Sequence, residues 1–409
     1  MPRAPRHRFP PPSLITTTEE LEAACRRLRA AGSTADSAGA FVTVDTEFIR
    51  ERTYWPELCV VQLGGEDEVA VIDAQALGLD LTPLGELLAD QAVMKVFHAA
   101  RQDVEIFNLK FGVVPRPLFD TQVAAMVAGF GDQVGYEALV GGLTGGSIDK
   151  AHQYSDWSIR PLSPDQIAYA AADVTYLREI YRKLRVRLDA DGRLAWVAEE
   201  MAVLTDPATY RIDPEAMWRR LRTRSTSRRY LGMLRALAAW REQEAQRVNI
   251  PRPRLLRDEI MLELAATAPA TVEALARTRG LSRGFVEGPM GEALLAAIAA
   301  AKQLPPDALP EVAQERPGPR PSPALVALLK VLLAAKCEQH HVAARLVAGS
   351  DDIERLAVEA APDVPAMHGW RRTVFGDDAL ALRQGRIALG VDGREVKLVE
   401  VPTGSNPGS

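Results

Sequence analysis

Two carboxylates one residue apart, Asp45 and Glu47, close the run Val-Thr-Val-Asp-Thr-Glu, and two more acids, Asp103 and Asp173, lie in separate segments further along. Strand side chains alternate between faces, so Asp45 and Glu47 point the same way and can reach one ion. Asp173 follows Tyr169 by four residues in Tyr-Ala-Ala-Ala-Asp, a spacing that places phenol and carboxylate on one side of a helix. Carboxylates gathered together repel and lose hydration unless a cation sits between them. Hard oxygen donors favour magnesium or manganese over zinc. Two divalent cations, Mg2+ or Mn2+, about 3.5–4 Å apart in such a cage would activate a water and stabilise the leaving oxygen of a phosphodiester. Tyr169 suits orienting that water; a free phenol titrates near about 10 and is a poor base. Singly the parts are weak, since Asp-X-Glu is common at surfaces, Tyr-X-X-X-Asp often forms a helix-surface hydrogen bond, and Asp103 suits a helix cap. Their conjunction carries the reading.

The elements that must position these acids are legible in outline. Residues 16–31 form a capped helix pattern, and Phe41–Val44, Leu58–Leu63 and Val69–Ile72 read as strands, with a turn at Tyr54–Pro56. Leu84–Leu88 suits a helix, Lys95–Phe97 a buried strand and Gln102–Phe111 a helix. Ser163-Pro-Asp-Gln166 is a capping box with proline at the first helical position; its helix carries Tyr169 and Asp173 and runs to about Leu188. Strands alternating with helices predict a mixed sheet flanked by helices.

At 409 residues, two to four domains are expected. With 47% hydrophobic and 25% charged residues the chain can bury real cores, and its net charge of −5 excludes a uniformly basic nucleic-acid binder. Cys25, Cys59 and Cys337 lie far apart, with neither zinc spacing nor a disulfide framework, so a reducing, cytoplasmic setting is expected. No apolar run approaches a membrane span, and the basic, proline-rich start lacks a signal peptide's hydrophobic stretch. The expected division is a flexible lead over 1–13, a catalytic domain over 14–205, a helical domain over 208–304, a linker over 305–323, a second helical domain over 324–400 and a tail over 401–409. No heptad pattern argues for a coiled-coil dimer, and a monomer is expected.

Three stretches resemble the ribonuclease D family of the DEDD 3′–5′ exonuclease superfamily. They are Val-Asp45-Thr-Glu47-Phe-Ile-Arg-Glu-Arg-Thr-Tyr-Trp-Pro-Glu-Leu, His98-Ala-Ala-Arg-Gln-Asp103-Val-Glu-Ile-Phe and Tyr169-Ala-Ala-Ala-Asp173-Val-Thr-Tyr-Leu. The resemblance implies a ribonuclease H-like mixed α/β sheet followed by two small all-α domains. It implies that Asp45, Glu47, Asp103 and Asp173 ligate metal and that Tyr169 marks the tyrosine subclass; the sister subclass's histidine position is Ala168 here. It further implies trimming of 3′ ends of precursor tRNA and other small structured RNAs, one 5′-mononucleotide at a time.

Around these motifs several residues have two readings. Arg160 could reach a phosphate or hold its loop by a salt bridge. Gln62 could be structural or touch the nucleotide. Trp157 reads as packing, His98 as a satisfied buried histidine and Asp120 as a helix N-cap.

A basic stretch follows. Between Arg211 and Arg257 lie thirteen arginines and four acids, a local charge of 13 − 4 = +9, densest at Arg219, Arg220, Arg222, Arg224, Arg228 and Arg229. Guanidinium forks match phosphate oxygens, so these six and Arg160 are the candidate RNA-binding residues; the alternative is a solvated, internally paired helix face. Leu237-Ala-Ala-Trp240-Arg-Glu-Gln-Glu-Ala-Gln-Arg-Val-Asn-Ile-Pro-Arg-Pro resembles the HRDC module of ribonuclease D and RecQ-type helicases, with the third region a distant second copy. Two other readings stay open: a DNA-directed 3′–5′ exonuclease, and a catalytically silent RNA-binding scaffold.

Overall fold

The computed structural model describes residues 11–31, 40–149, 151–311 and 321–402. Most of the expected lead, the middle of the expected linker and most of the expected tail lie outside them.

The N-terminal region is built on a six-stranded sheet of order β1-β4-β3-β2-β5-β6. Its strands are β1 (Pro12–Ile15), β2 (Phe41–Ile49), β3 (Glu57–Gly64), β4 (Val69–Asp73), β5 (Met94–Phe97) and β6 (Leu118–Asp120). β1 runs parallel to β4, β2 to β5 and β5 to β6, while β3 and β4 are antiparallel, so the sheet is mixed as expected. Helices α1 (Thr18–Ala31), α2 (Thr82–Ala89), α3 (Arg101–Phe111), α4 (Thr121–Val127), α5 (Tyr136–Leu139), α6 (Pro164–Ala190) and α7 (Leu194–Thr205) complete the region. The central strands are apolar runs because helices cover them: Val60, Val61, Leu63, Ala70, Val71 and Ile72 have no exposed surface. Lys95 is also fully buried, tolerated because its ammonium donates to the carbonyls of Asp90, Val93 and Arg116. Ser163 caps α6 with both halves of the capping box in place.

Strand β1 was not foreseen. Pro12 offers no N–H for a sheet ladder, yet it begins an edge strand, where a missing donor costs little.

The chain divides into two compact units, one comprising the described parts of Met1–Glu47, Cys59–Thr209 and Gly318–Ser409, the other those of Phe48–Leu58 and Tyr210–Pro317. The second unit packs α8 (Arg228–Arg247), α9 (Arg252–Leu255), α10 (Asp258–Thr267), α11 (Val272–Leu275), α12 (Arg283–Val286) and α13 (Pro289–Lys302) around Leu234, Leu237, Met261, Leu264 and Leu294. Trp240 belongs to that core. Phe48–Leu58 joins this unit through Tyr54, whose hydroxyl donates to the buried carboxylate of Glu242. Arg252 grips the same carboxylate and stacks on the Tyr54 ring, 4.7 Å from its centroid. The Trp55 N–H donates to Asn249 at 3.0 Å. The first residues of the expected linker are docked: Leu309 is buried, and Arg228, Arg229 and Arg235 donate to carbonyls between Leu304 and Pro310.

Within the first unit, α14 (Pro323–Gln339), α15 (Ala344–Val347), α16 (Ser350–Val358), α17 (Gly369–Arg371) and α18 (Asp377–Arg383) enclose Leu329, Leu332, Ile353 and Phe375. Trp370 of this group stacks on Trp196 of α7, centroids 4.5 Å apart, and Arg371 pairs with Glu200. The region ends in a hairpin of β7 (Ile387–Asp392) and β8 (Glu395–Glu400), which the helical expectation did not include. Its alternating Val-Lys-Leu-Val pattern and the left-handed Gly393 at its turn supply the local reason.

Candidate active site

The site begins on β2. Thr43, Asp45 and Glu47 share one face by strand alternation. Thr43 uses that position to donate its hydroxyl to the Val174 carbonyl of α6 at 2.7 Å and to Gly64 of β3 at 3.2 Å. Glycine is required at 64, because a Cβ there would collide with Thr43 Oγ1 and the Val174 carbonyl. Helix α6 is drawn close against β2 at Val174, and the adjacent Asp173 is thereby delivered to the acids of the strand. Arg178, one turn on, fastens the same helix by donating to the carbonyls of Gly64 and Phe41 while stacking on the Phe41 ring.

One carboxylate oxygen from each of Asp45, Glu47 and Asp173 lies within 4.8 Å of the others. All three are half-buried. Burial raises Asp45 to about 7, against a favourable hydrogen bond from the Thr46 backbone. Burial, then repulsion from Asp45, Asp173 and Asp103, raises Glu47 to about 10. Burial and Asp45 raise Asp173 to about 8, partly offset by a hydrogen bond from Tyr169. Among the described residues no lysine or arginine pairs with these three acids. A desolvated, uncompensated acidic group of this kind suits a divalent cation.

Asp103 stands apart from that group of three. It sits in the first turn of α3 and accepts a hydrogen bond from the hydroxyl of Thr46, the residue between the two strand acids. Burial raises its pKa well above the usual carboxylate range, and the charge of Asp45 adds to the shift. Asp103 is therefore electrostatically part of the site while one of its oxygens is held by Thr46.

Tyr169 lies one turn before Asp173 on α6, as the four-residue spacing predicts, and its phenol acts on the Asp173 carboxyl to lower its pKa. Burial and then the charge of Asp173 push that phenol far above its ordinary value, which argues against a general base and for positioning. Trp157 is buried and packs on Tyr169 with ring centroids 6.0 Å apart, so the packing reading of Trp157 is correct.

The phosphate reading of Arg160 gives way to the structural one. Its guanidinium donates to both oxygens of Asp73, at 2.8 and 2.6 Å, and to the carbonyls of Cys59, Trp157 and Ile159. All five N–H donors thus have protein acceptors, which fixes the loop that holds Trp157 against Tyr169. Asp120 caps α4 and also receives the N–H groups of Ala99 and Ala100, holding the left-handed Ala99 at the start of α3. His98 meets Thr121 at 3.1 Å, and burial lowers its pKa to about 4, so it is neutral. Gln62 has no exposed surface, and among the described residues neither its amide nitrogen nor its oxygen has a hydrogen-bond partner.

Tyr136 was missed. Its hydroxyl donates to the Asp173 carbonyl at 2.6 Å, and its ring lies 5.3 Å from that of His98. No local sequence signal marks it, since it comes from a four-residue helix distant in sequence from α6. Thr43 and Thr46 did carry a signal: both sit inside the acidic strand motif.

The six clustered arginines separate. Arg228 and Arg229 bind carbonyls of the docked segment after α13, so their guanidiniums serve that packing. Arg219 lies over the Trp218 ring at 5.8 Å. Arg220, Arg222 and Arg224 are exposed.

Among the described residues, no helix is long and apolar enough to cross a membrane. Residues 12–189 match a 3′–5′ exonuclease family model and residues 231–298 an HRDC domain model. The chain is 66% identical to ribonuclease D of Granulibacter bethesdensis over 98% of its own length and 99% of that protein. It is 64% identical to ribonuclease D of Gluconacetobacter diazotrophicus, over 98% of this chain and 100% of the relative. The crystal structure of Escherichia coli RNase D, described as an exoribonuclease involved in structured RNA processing, aligns with a TM-score of 0.77 at 31% identity, covering 91% of this chain and 98% of that one. A six-stranded mixed sheet bearing converged acids, a matching exonuclease model and full-length relatives agree: this chain belongs to the ribonuclease D family of 3′–5′ exoribonucleases.

Proposed function

We propose that Asp45, Glu47, Asp103 and Asp173 hold two divalent cations and that the protein trims 3′ extensions of precursor tRNA and other small structured RNAs, releasing 5′-mononucleotides singly. The observation that carries this reading is the approach of three half-buried carboxylates to within 4.8 Å, with no cationic side chain paired to them among the described residues. Mg2+ or Mn2+ would supply there the activation of water and the stabilisation of the leaving oxygen. Asp45 and Glu47 form the strand wall of the cage, Asp173 its helix wall, and Asp103 the third side, kept in orientation by Thr46. Tyr169 orients the attacking water through its phenol while Asp173 holds that phenol in place.

Arg219, Arg220, Arg222 and Arg224 attract the RNA body by charge. The region over 324–400 acts as a second HRDC-like module. The protein works as a monomer in the cytoplasm, where three buried, free cysteines are at home.

Incubating 5′-labelled single-stranded RNA and matching DNA with Mg2+ or Mn2+, with EDTA as control, tests the reading. A metal-dependent ladder of one-nucleotide steps on RNA, absent with Asp45→Ala, is the expected result. Turnover that survives EDTA or that substitution would overturn the cage, and a ladder on DNA alone would overturn the RNA assignment.

A further inference from the structure

Within the helical unit lies a cleft of about 420 Å³ whose wall includes Arg50, Thr53, Arg220, Arg241, Arg252 and Asp258. Four of these six are arginines, and Asp258 is the one acid in the lining. The cleft is built rather than incidental. Arg241 is buried and donates to the Leu256 carbonyl and to Asp258, both at 2.7–2.8 Å. Arg252 is locked to the buried Glu242 and to the Tyr54 hydroxyl at 2.8 Å. These two guanidiniums are rigid. Arg220 is exposed and, among the described residues, forms no hydrogen bond or ion pair with the protein. Four guanidiniums gathered in one wall, two of them held in place by Asp258 and Glu242 and one, that of Arg220, exposed, make a receptor for phosphate.

We propose that this cleft is a phosphodiester subsite for single-stranded RNA, distinct from the acidic cluster, with Arg220 as the residue that closes on the phosphate. The proposal rests on the RNA-degrading reading above and names, within the basic stretch, which guanidinium makes contact. It singles out Arg220 from Arg228 and Arg229, which hold protein carbonyls, and from Arg219, which lies over Trp218. Arg50 and Thr53 enter the wall from the segment that begins one residue after Glu47. The chain that supplies two of the acids therefore also supplies part of the phosphate receptor.

Binding of a 5′-labelled single-stranded RNA to the full-length protein in EDTA, titrated across salt concentrations, tests the cleft without turnover. Arg220→Ala is expected to weaken binding roughly tenfold. It should also flatten the slope of log affinity against log salt by roughly 0.7, the loss of one single-strand phosphate contact. Arg220→Lys is expected to restore the slope but only part of the affinity, because an ammonium keeps the charge and loses the fork. Asp258→Asn removes the one acid of the lining and is expected to tighten binding, a gain that misfolding cannot produce. Unchanged affinity and slope in Arg220→Ala, or looser binding in Asp258→Asn, would overturn the subsite. Because these readings contain no cleavage, they stand apart from the ladder assay, which alone judges the metal cage.

Discussion

The hydroxyl of Thr46 donates to the carboxylate of Asp103, joining the residue between the two strand acids to the first turn of α3. One tripeptide thus serves the whole site: its outer members build the acidic group, and its centre aligns the fourth acid. Thr46→Val keeps the shape and removes the donor. It should lower stability by about 1–2 kcal/mol and reduce kcat more than RNA affinity, read by denaturant unfolding beside single-turnover cleavage. Equal loss in kcat and binding would mean that Thr46 supports the fold alone.

Asp45→Asn should separate activity from stability. Turnover is expected to fall by three orders of magnitude or more, on the order of the 4 kcal/mol that loss of a charged catalytic group costs. In EDTA near pH 8 the same variant should melt above the parent, because it removes one of three mutually repelling, desolvated carboxylates. A lower melting temperature would show that the acids do not strain the metal-free fold.

The pH dependence of the metal-free protein follows from the direction of these shifts. Asp45 and Asp173 titrate higher in the folded chain, at about 7 and about 8, than free carboxylates do. The unfolded chain therefore releases these protons first. The contribution of both groups is fully present below about pH 4 and is lost as the pH rises through their folded values. Within the range where the rest of the protein is folded, the melting temperature in EDTA should fall between pH 6 and 9. Added Mn2+ should raise it more at pH 8 than at pH 5.5, since ligation requires deprotonated acids. A cation effect independent of pH would contradict this.

Gln62→Leu tests the buried amide that finds no partner among the described residues. Replacing it with an apolar side chain should stabilise the metal-free protein by about 1 kcal/mol, the lower end of the cost of an unsatisfied buried polar group. Calorimetry in EDTA reads this directly, and a destabilised variant would reveal a hydrogen bond formed in solution.

The helical unit offers a sharper stability test. Glu242 is buried and shared by Tyr54, Gln246 and Arg252. Glu242→Gln removes the buried negative charge that Arg252 faces and should cost about 3 kcal/mol. Tyr54→Phe removes one donor and should cost about 1 kcal/mol. Urea denaturation resolves the two if the ranking holds.

How much of this was legible depended on whether the cause was local. The capping box at Ser163 and the apolar runs of β3 and β4 announce themselves within a few residues, and they appeared where expected. The site acids were recognisable as a set, but their separations were not: the Thr43 bond to Val174, across 131 positions of chain, and the Arg178 bonds to Phe41 and Gly64 bring Asp173 to β2. Arg160 and Arg228 show the limit of charge counting. A guanidinium reads the same in sequence whether its acceptors are phosphates or carbonyls, and the structure gives both residues carbonyls, with Asp73 besides for Arg160. Tyr136 and the strand at Pro12 had no local marker.

The excursion of Phe48–Leu58 into the helical unit bears on how this enzyme can be cut apart. A fragment ending near Thr209 would contain every acid of the cage, yet it would strip Tyr54 of Glu242, Arg252 and Gln246 and Trp55 of Asn249. Two aromatic side chains would be left without their cover on the stretch joining β2 to β3. The exonuclease half is thus unsuited to stand as a free-living module, and sequence boundaries drawn between its matched families do not coincide with where the protein can be divided.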